Sequence, residues 1–270
     1  MFFRRWLYYL SSIQTLFRGV RNWPVMLAAF LHVPLRRPFT IELRGSGTRF
    51  KVRSPMDVWI IKETCLDRDY EWGGTVLQDG WVILDVGAGL GDFAICAARC
   101  HSRSTVHAYE PFPESFVLLQ ENVRLNRLEN VHAYPYAVSG IQPGSATLYT
   151  GASEAVQHST IPGPGRPGPD AIEVSSMTLD RIFEDLGLES CDFLKMDCEG
   201  AEYEILFHAS DSTLEKIKRI CLEYHDEVTP HSHGDLIRFF SEKGFQVGLR
   251  PNRAHRHLGL IYARNLDGCD

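Results

Sequence analysis

The sequence predicts an α/β protein of Rossmann-like type, with a doubly wound, mostly parallel sheet and an N-terminal helical and hairpin extension. Three observations predict it. The stretch Trp81 to Arg99, WVILDVGAGLGDFAICAAR, runs from an apolar segment through Asp85 into a turn with Gly87, Gly89 and Gly91, then into an apolar helical pattern. A second apolar run, Val106 to Pro111, closes on an acid, Glu110, about 20 residues beyond that turn. Apolar runs and helical patterns then go on alternating, as strands and crossover helices do in a parallel sheet.

The 270 residues are enough to bury a substantial core, and they divide most simply into an extension, 1–53, and an α/β domain, 54–270. Residues 1–38 read as helix up to a break at Pro34 and Pro38; Phe39 to Leu43 and Thr48 to Arg53 alternate around Gly45 and Gly47 as a hairpin does. Ser54 is a candidate N-cap for the next helix, with Pro55 in its first turn and Asp57 near its positive end. Then come VILDV, a helix from about Asp92, VHAYE, the helix ESFVLLQENVRLN, and VHAYPYAV as a third strand. Residues 140–171 carry so much Gly and Pro, with STIPGPGRPGPDA from Ser159 to Ala171 at their centre, that they read as one long flexible loop, of the kind that serves as a lid, here over the acceptor, as a binding loop or as a disordered linker. The helix Thr178 to Leu188 follows, then the buried strands CDFLKMD and RICLEYHD separated by the helical AEYEILFHA. His231 and His233 fall in a Pro-containing loop, and FQVGL and GLIYAR close the chain as antiparallel strands.

Hydrophobic content of 44% and charge of 23% are those of a soluble globular protein, which excludes disorder and a membrane bundle. The seven cysteines contain no C-x-x-C pair and read as reduced thiols of a cytoplasmic protein. The net charge of −6 hides an asymmetry: Arg4, Arg5, Arg18, Arg21, Arg36 and Arg37 all precede the first acid, Glu42. Polar residues interrupt this basic, aromatic segment too often for it to span a bilayer, and no small-residue cleavage pattern marks it as a signal peptide. It reads as a helix packed on the domain or capping the substrate mouth; peripheral contact with an anionic membrane, at its inner face, is the alternative. The acidic body has no continuous basic groove, so a nucleic-acid partner is not expected. The oligomeric state has no signature in the sequence.

Glycines suit the turn after Asp85 because a side chain would keep the backbone from the ligand, while the following helix N-terminus presents unpaired N–H groups. Glu110 can accept hydrogen bonds from both hydroxyls of a ribose. The spacing is G-x-G-x-G rather than the G-x-G-x-x-G that seats a pyrophosphate, which argues against an NAD-dependent oxidoreductase. Ligands of an open parallel sheet lie beyond the carboxyl ends of its strands. There, one strand places Lys195, Asp197 and Glu199 and another Glu223 and His225, groups for which a noncatalytic, membrane-associated module would have no need. Two arrangements of these groups could activate a hydroxyl. His225, with a pKa near working pH, could act alone as general base. Alternatively Asp197, Glu223 and His225 could share a divalent cation such as Mg²⁺. A third reading has Asp197 and Glu199 capping the next helix, with Lys195 as their ion-pair partner. Tyr70 and Glu71, just ahead of the glycine turn, are candidates to close over the ligand. Arg253, His255 and Arg256 form a basic loop that either meets an anionic group or is plain surface.

Taken in order, LDVGAGLGDF, VHAYEPFPESFVLLQENVRLN, TLDRIF, CDFLKMDCEGAEYEIL and ICLEYHD resemble the FkbM family of S-adenosylmethionine-dependent methyltransferases over roughly residues 55–226. The resemblance implies a class I methyltransferase fold and O-methylation of a sugar, glycan or natural-product acceptor. It implies that Asp85, Gly87, Gly89, Gly91 and Glu110 bind S-adenosylmethionine, and that Asp197, Glu199 and Gly200 border the active site. Pro111 and Ala137, near the ends of the next two strands, together with Glu199 and Tyr70, are counted among the cofactor contacts. Family members commonly carry Asn where Gly89 stands, a change that still permits the turn.

Overall fold

In the computed structural model, residues 2–71, 75–140, 144–150, 158–159, 171–252 and 254–266 are described. The N-terminal segment forms two helices, α1 (Phe2–Gly19) and α2 (Trp23–Phe30), where one unbroken helical segment was expected. Between them, Val20 bridges to Leu43, and the Asn22 carboxamide bonds the edge of the hairpin strand β1 (Phe39–Glu42), which pairs with β2 (Arg49–Val52). Buried amides on a later helix, α5 (Pro113–Asn126), hold β2 in place: Asn122 accepts from Lys51 N at 2.7 Å and Asn126 from Arg49 N at 2.9 Å. The extension has no separate core, since Leu16, Ile41 and Phe50 pack in one cluster with Leu90, Ile95 and Leu118.

Ser54 caps α3 (Pro55–Ile61) by accepting from Asp57 N, as its position predicts, and the helix then widens into a π-turn, Lys62–Leu66. Lys62 is buried there, bonded to Ser12 of α1 at 2.7 Å and to Asp67 at 2.6 Å, which fixes α1 against the domain. On α1, Leu10 and Ile13 remain exposed. Cys65 of the π-turn is joined by a disulfide to Cys96 of α4 (Asp92–Cys100), which corrects the expectation of uniformly reduced thiols. The fold, not a short spacing, brings these two together. In the chain-entropy account, closing a loop of 31 residues stabilises by about 3 to 4 kcal/mol.

The central sheet is built from β3 (Val82–Val86), β4 (Thr105–Tyr109), β5 (Val131–Tyr134), β10 (Phe193–Met196), β11 (Arg219–His225), β12 (Phe245–Pro251) and β13 (Leu258–Asn265). Its order is β12-β13-β11-β10-β3-β4-β5, parallel except for β13, which runs against both β11 and β12. This is the predicted doubly wound α/β fold. The order reverses between β3 and β10, and a ligand crevice belongs at that point. The stretch expected as one third strand divides at Pro135, which cannot donate to a ladder. β5 stays in the main sheet, and β6 (Ala137–Val138) joins a second sheet with β7 (Gly144–Thr150), β8 (His158–Ser159) and β9 (Ala171–Met177). Part of the expected long loop is therefore strand; residues 160–170, the centre of the expected lid, lie outside the described residues. Thr178 caps α6 (Leu179–Leu186), and α7 (Glu202–His208) and α8 (Asp211–Glu215) precede β11. His233, expected in a loop, is instead the first residue of α9 (His233–Glu242), tied by its backbone N–H and ring to Asp226. Among the described residues no helix is long and apolar enough to cross a membrane.

Candidate active site

A cleft of about 370 Å³ opens at the carboxyl ends of β3, β4, β10 and β11. The glycine turn forms its floor. Gly87 and Ala88 each donate to the Tyr109 carbonyl at 3.0 Å, and Gly89 N donates to Glu110 Oε2 at 2.7 Å. Phe112 N donates to the other Glu110 oxygen at 2.9 Å, so the carboxylate is held rigidly at the cleft wall. Burial raises its pKa to about 7. The three glycines do different work. A Cβ on Gly87 would sit 1.9 Å from the Asp197 carbonyl, and one on Gly91 would meet Leu119 at 2.4 Å, so both are packing requirements. A Cβ on Gly89 would meet no atom closer than 3.9 Å.

Asp85 and Gly91 do not line the cleft, and Asp85, expected to face the ligand, is fully buried behind the turn. Its neighbour across the β3–β10 register is Lys195, whose Nζ lies 3.0 Å from Asp85 Oδ1 and donates to the Gly87 carbonyl at 2.7 Å. Both members of this ion pair are buried. Burial alone would lower the Lys195 pKa, but Asp85, Asp197 and Asp92 outweigh it and hold the ammonium charged. Lys195 therefore braces the glycine turn and is not the partner of a helix-capping Asp197 or Glu199. Glu202, the first residue of α7, is fully buried and instead holds the turn ahead of the helix, accepting from Cys198 N at 2.6 Å and Gly200 N at 2.9 Å, while no side chain caps the helix itself.

Asp197, Glu199, Glu223 and His225 meet at one side of the cleft. Asp197, Glu223 and His225 each offer a ligand atom, all within 4.8 Å of one another. Tyr70 reaches Asp197 Oδ2 with its hydroxyl at 2.8 Å, from an adjoining cavity rather than from the cleft itself. Glu199 is held at φ +54°, a left-handed conformation costly for a non-glycine residue and concentrated at functional sites. His225 Nε2 lies 3.9 Å from both Asp197 and Glu199, and Nδ1 3.4 Å from Glu202. Burial by itself would lower the imidazole pKa, but Glu202, Glu199 and Glu223 raise it well above its ordinary value. The premise that His225 titrates as an unperturbed base therefore does not hold. Glu223 is raised in turn, first by burial and then by Asp197.

Pro111 and Ala137 also line the cleft. Glu71 turns away to accept from Arg68 and Leu77 N; His255 and Arg256 are exposed and line neither cavity, and Arg253 lies outside the described residues. Two residues went unanticipated. Asp92, at the start of α4, lines the cleft with its pKa raised to about 6 by burial, and its place just after the glycine turn was the available signal. Glu202 had only its position in CEGAE to mark it.

Residues 85–247 match the methyltransferase FkbM domain, more than half of the chain. The chain belongs to the FkbM methyltransferase family. The 31-O-demethyl-FK506 methyltransferase FkbM of Streptomyces tacrolimicus is 27% identical over 237 residues, which span 77% of this chain and 89% of that protein. The hexuronic acid methyltransferase AglP of Haloferax volcanii is 27% identical over 220 residues, 77% of this chain and 82% of its own length. Among solved structures, the methyltransferase FkbM from Methylobacillus flagellatus KT aligns with a TM-score of 0.49 at 16% identity, covering 77% of this chain and 54% of that one.

An FkbM methyltransferase takes its methyl group from S-adenosylmethionine, and the cleft has features that fit this donor. Gly89 presents bare backbone to open space, and the buried Glu110 carboxylate faces the cleft with acceptor capacity beyond its two backbone partners. Glu110→Gln is expected to weaken S-adenosylmethionine by about 1 to 3 kcal/mol, the scale of charge-assisted hydrogen bonds to a ribose. The pH dependence has a definite sign. Donated hydrogen bonds favour the carboxylate, so affinity is full above pH 7 and declines as pH falls through the free protein's value of about 7. Calorimetry across pH 5.5 to 8.5, a range bracketing that of an ordinary histidine, checks this. A slope that persists in Glu110→Gln would assign it to another group.

Proposed function

We propose that this FkbM methyltransferase transfers a methyl group to a hydroxyl oxygen of a small-molecule or glycan acceptor, with Asp197, Glu223 and His225 activating that oxygen through a divalent cation. The observation that carries the reading is the convergence of these three ligand groups at the cleft. The relatives named for 31-O-demethyl-FK506 and for hexuronic acid support the acceptor class. S-adenosylmethionine, when bound, would supply an electrophilic methyl on sulfur, the new C–O bond forming as the S–C bond breaks, with the hydroxyl proton, acidified by the cation, passing to solvent water.

A lone His225 is poorly suited to take that proton, because its carboxylate neighbours already favour the imidazolium. Lys195 offsets the charge at Asp197 only without direct contact, since its own contacts go to Asp85 and Gly87. A hard cation such as Mg²⁺ suits the oxygen-rich set, would hold the acceptor oxygen and would lower the pKa of its hydroxyl. Tyr70 orients the Asp197 carboxylate, and Glu202 fixes the turn between Asp197 and α7. Glu110, Gly87, Gly89, Pro111 and Ala137 then form the donor's half of the cleft. The direct test offers sugar, macrolide and polyketide acceptors with S-adenosylmethionine labelled in its methyl group. The label is expected as a methyl ether; label on nitrogen or carbon would overturn the O-methyl assignment.

A further inference from the structure

A second cavity of about 110 Å³ adjoins the cleft, and Ile60, Asp197 and Glu223 are walls of both. Two of the three groups assigned to acceptor activation thus stand where the cavities meet. A donor in the cleft meets its acceptor there, and the second cavity is the room on the acceptor's side. Its far wall comes from the extension: Tyr8 of α1 donates its hydroxyl to Glu63 Oε1, which also receives the Trp59 indole N–H at 2.8 Å. Asp69 and Arg250, paired at 2.9 Å, close another side, and Pro251 and Leu260 add apolar surface.

The charge of this lining is one-sided. Glu63, Asp69, Asp197 and Glu223 face one cation, Arg250, which is already paired with Asp69. Burial pushes the Glu63 and Asp69 carboxyls above their ordinary range, against the opposing pull of Tyr8, Lys62 and Trp59 on Glu63 and of Arg250 and Lys62 on Asp69, so the partners already present are taken up by these acids. An anionic ligand would bring another charge into this partly desolvated set, while hydroxyls would supply the donors that carboxylates accept.

We propose that this cavity is the acceptor subsite and that it takes an uncharged polyhydroxylated ring, a glycosyl unit without carboxylate or phosphate, with Glu63 and Asp69 accepting its hydroxyl hydrogens. The proposal rests on the O-methyltransferase reading for its purpose, but its test does not need turnover. The full chain saturated with S-adenosylhomocysteine is titrated, by saturation-transfer NMR, with the methyl glycosides of glucose, galactose and mannose, their uronic acid counterparts and their 2-amino counterparts. At least one neutral glycoside is expected to bind, and at least about tenfold more tightly than its uronate. In Glu63→Gln the neutral ligand is expected to weaken by about five- to tenfold and the discrimination against uronate to shrink, with S-adenosylhomocysteine affinity unchanged. Asp69→Asn serves as a second variant should Glu63→Gln disturb the π-turn. Uronates bound as well as neutral sugars, binding of the amino sugars alone, no binding by any of the nine, or unaltered selectivity in both variants would each overturn the proposal. Selective binding of a neutral sugar without methyl transfer to it would leave the subsite standing and count against the O-methyltransferase reading.

Discussion

Asp197→Asn is expected to lower kcat by at least about a hundredfold while leaving S-adenosylmethionine affinity within a few-fold, the mark of a group needed in the transition state more than for donor binding. The same loss is expected in the unaltered protein on addition of EDTA, with recovery on Mg²⁺ or Mn²⁺, and in His225→Ala. The sign follows from the charges at the cleft rim. Burial and then repulsion from Asp197 raise Glu223 at the rim, while the direct contacts of Lys195 are to Asp85 and Gly87. A cation would relieve that repulsion; an amide at Asp197 removes a hard ligand and one charge at once. The Asp197 side chain is 28% exposed, so the variant is expected to fold, and an unchanged melting temperature is the control. Activity that survives EDTA but falls in His225→Ala would replace the cation with the histidine as base. Full activity in both variants would move the reacting centre away from this rim.

The parts of the fold that were legible in the sequence are those whose signal is local. VILDV and VHAYE lie between other strands and are therefore continuous apolar runs, and Ser54 and Thr178 announce their helices through side-chain oxygens that cap them. The failures share one cause, which is that the deciding partner is distant in the chain. Gly144–Thr150 sits in Gly-rich sequence but is held by pairing with Ala171–Met177, and composition does not report a ladder partner. His233 follows a Pro-containing stretch, yet Asp226 and the capping box of Ser232 and Asp235 start a helix there. Cys65 and Cys96 are brought together only once the π-turn packs on α4.

The candidate site divides in the same way. Glu110 and the glycines announce themselves by spacing, and the three charged residues at 195, 197 and 199 by strand parity. What each side chain does was not readable. Lys195 belongs to Asp85 because β10 and β3 are neighbours in the sheet, and the imidazole of His225 is governed by Glu199, Glu202 and Glu223, which come from two separate segments. A pKa depends on the company a group keeps after folding, so an ordinary value assigned from the sequence is the estimate most easily overturned.

Gly87→Ala is expected to be far more damaging to the fold than any change at Gly89, although both belong to one motif. The Gly87 backbone is left-handed, at φ +74°, and an added Cβ would lie 1.9 Å from the Asp197 carbonyl and 2.8 Å from its carbon, backbone atoms that cannot rotate aside. Relief requires the end of β3 to separate from the end of β10, which breaks the Lys195 contact with the Gly87 carbonyl and displaces Asp197 itself. The variant should therefore lose S-adenosylmethionine binding by at least about a hundredfold and methyl transfer altogether, with stability lowered by roughly 2 to 4 kcal/mol through strain and lost packing. Gly89 is also left-handed, at φ +54°, but a Cβ there reaches only open cleft. Gly89→Asn, whose side chain tolerates that conformation, should fold normally and keep affinity within a few-fold; Gly89→Val, β-branched and unsuited to positive φ, should fold but abolish measurable binding. Calorimetry with S-adenosylmethionine, run beside thermal unfolding of all three variants, separates strain from obstruction. A stable Gly87→Ala with undiminished affinity would show that β3 and β10 are not in the close contact on which the geometry of the site depends, and undiminished affinity in Gly89→Val would remove the turn from the donor's binding surface.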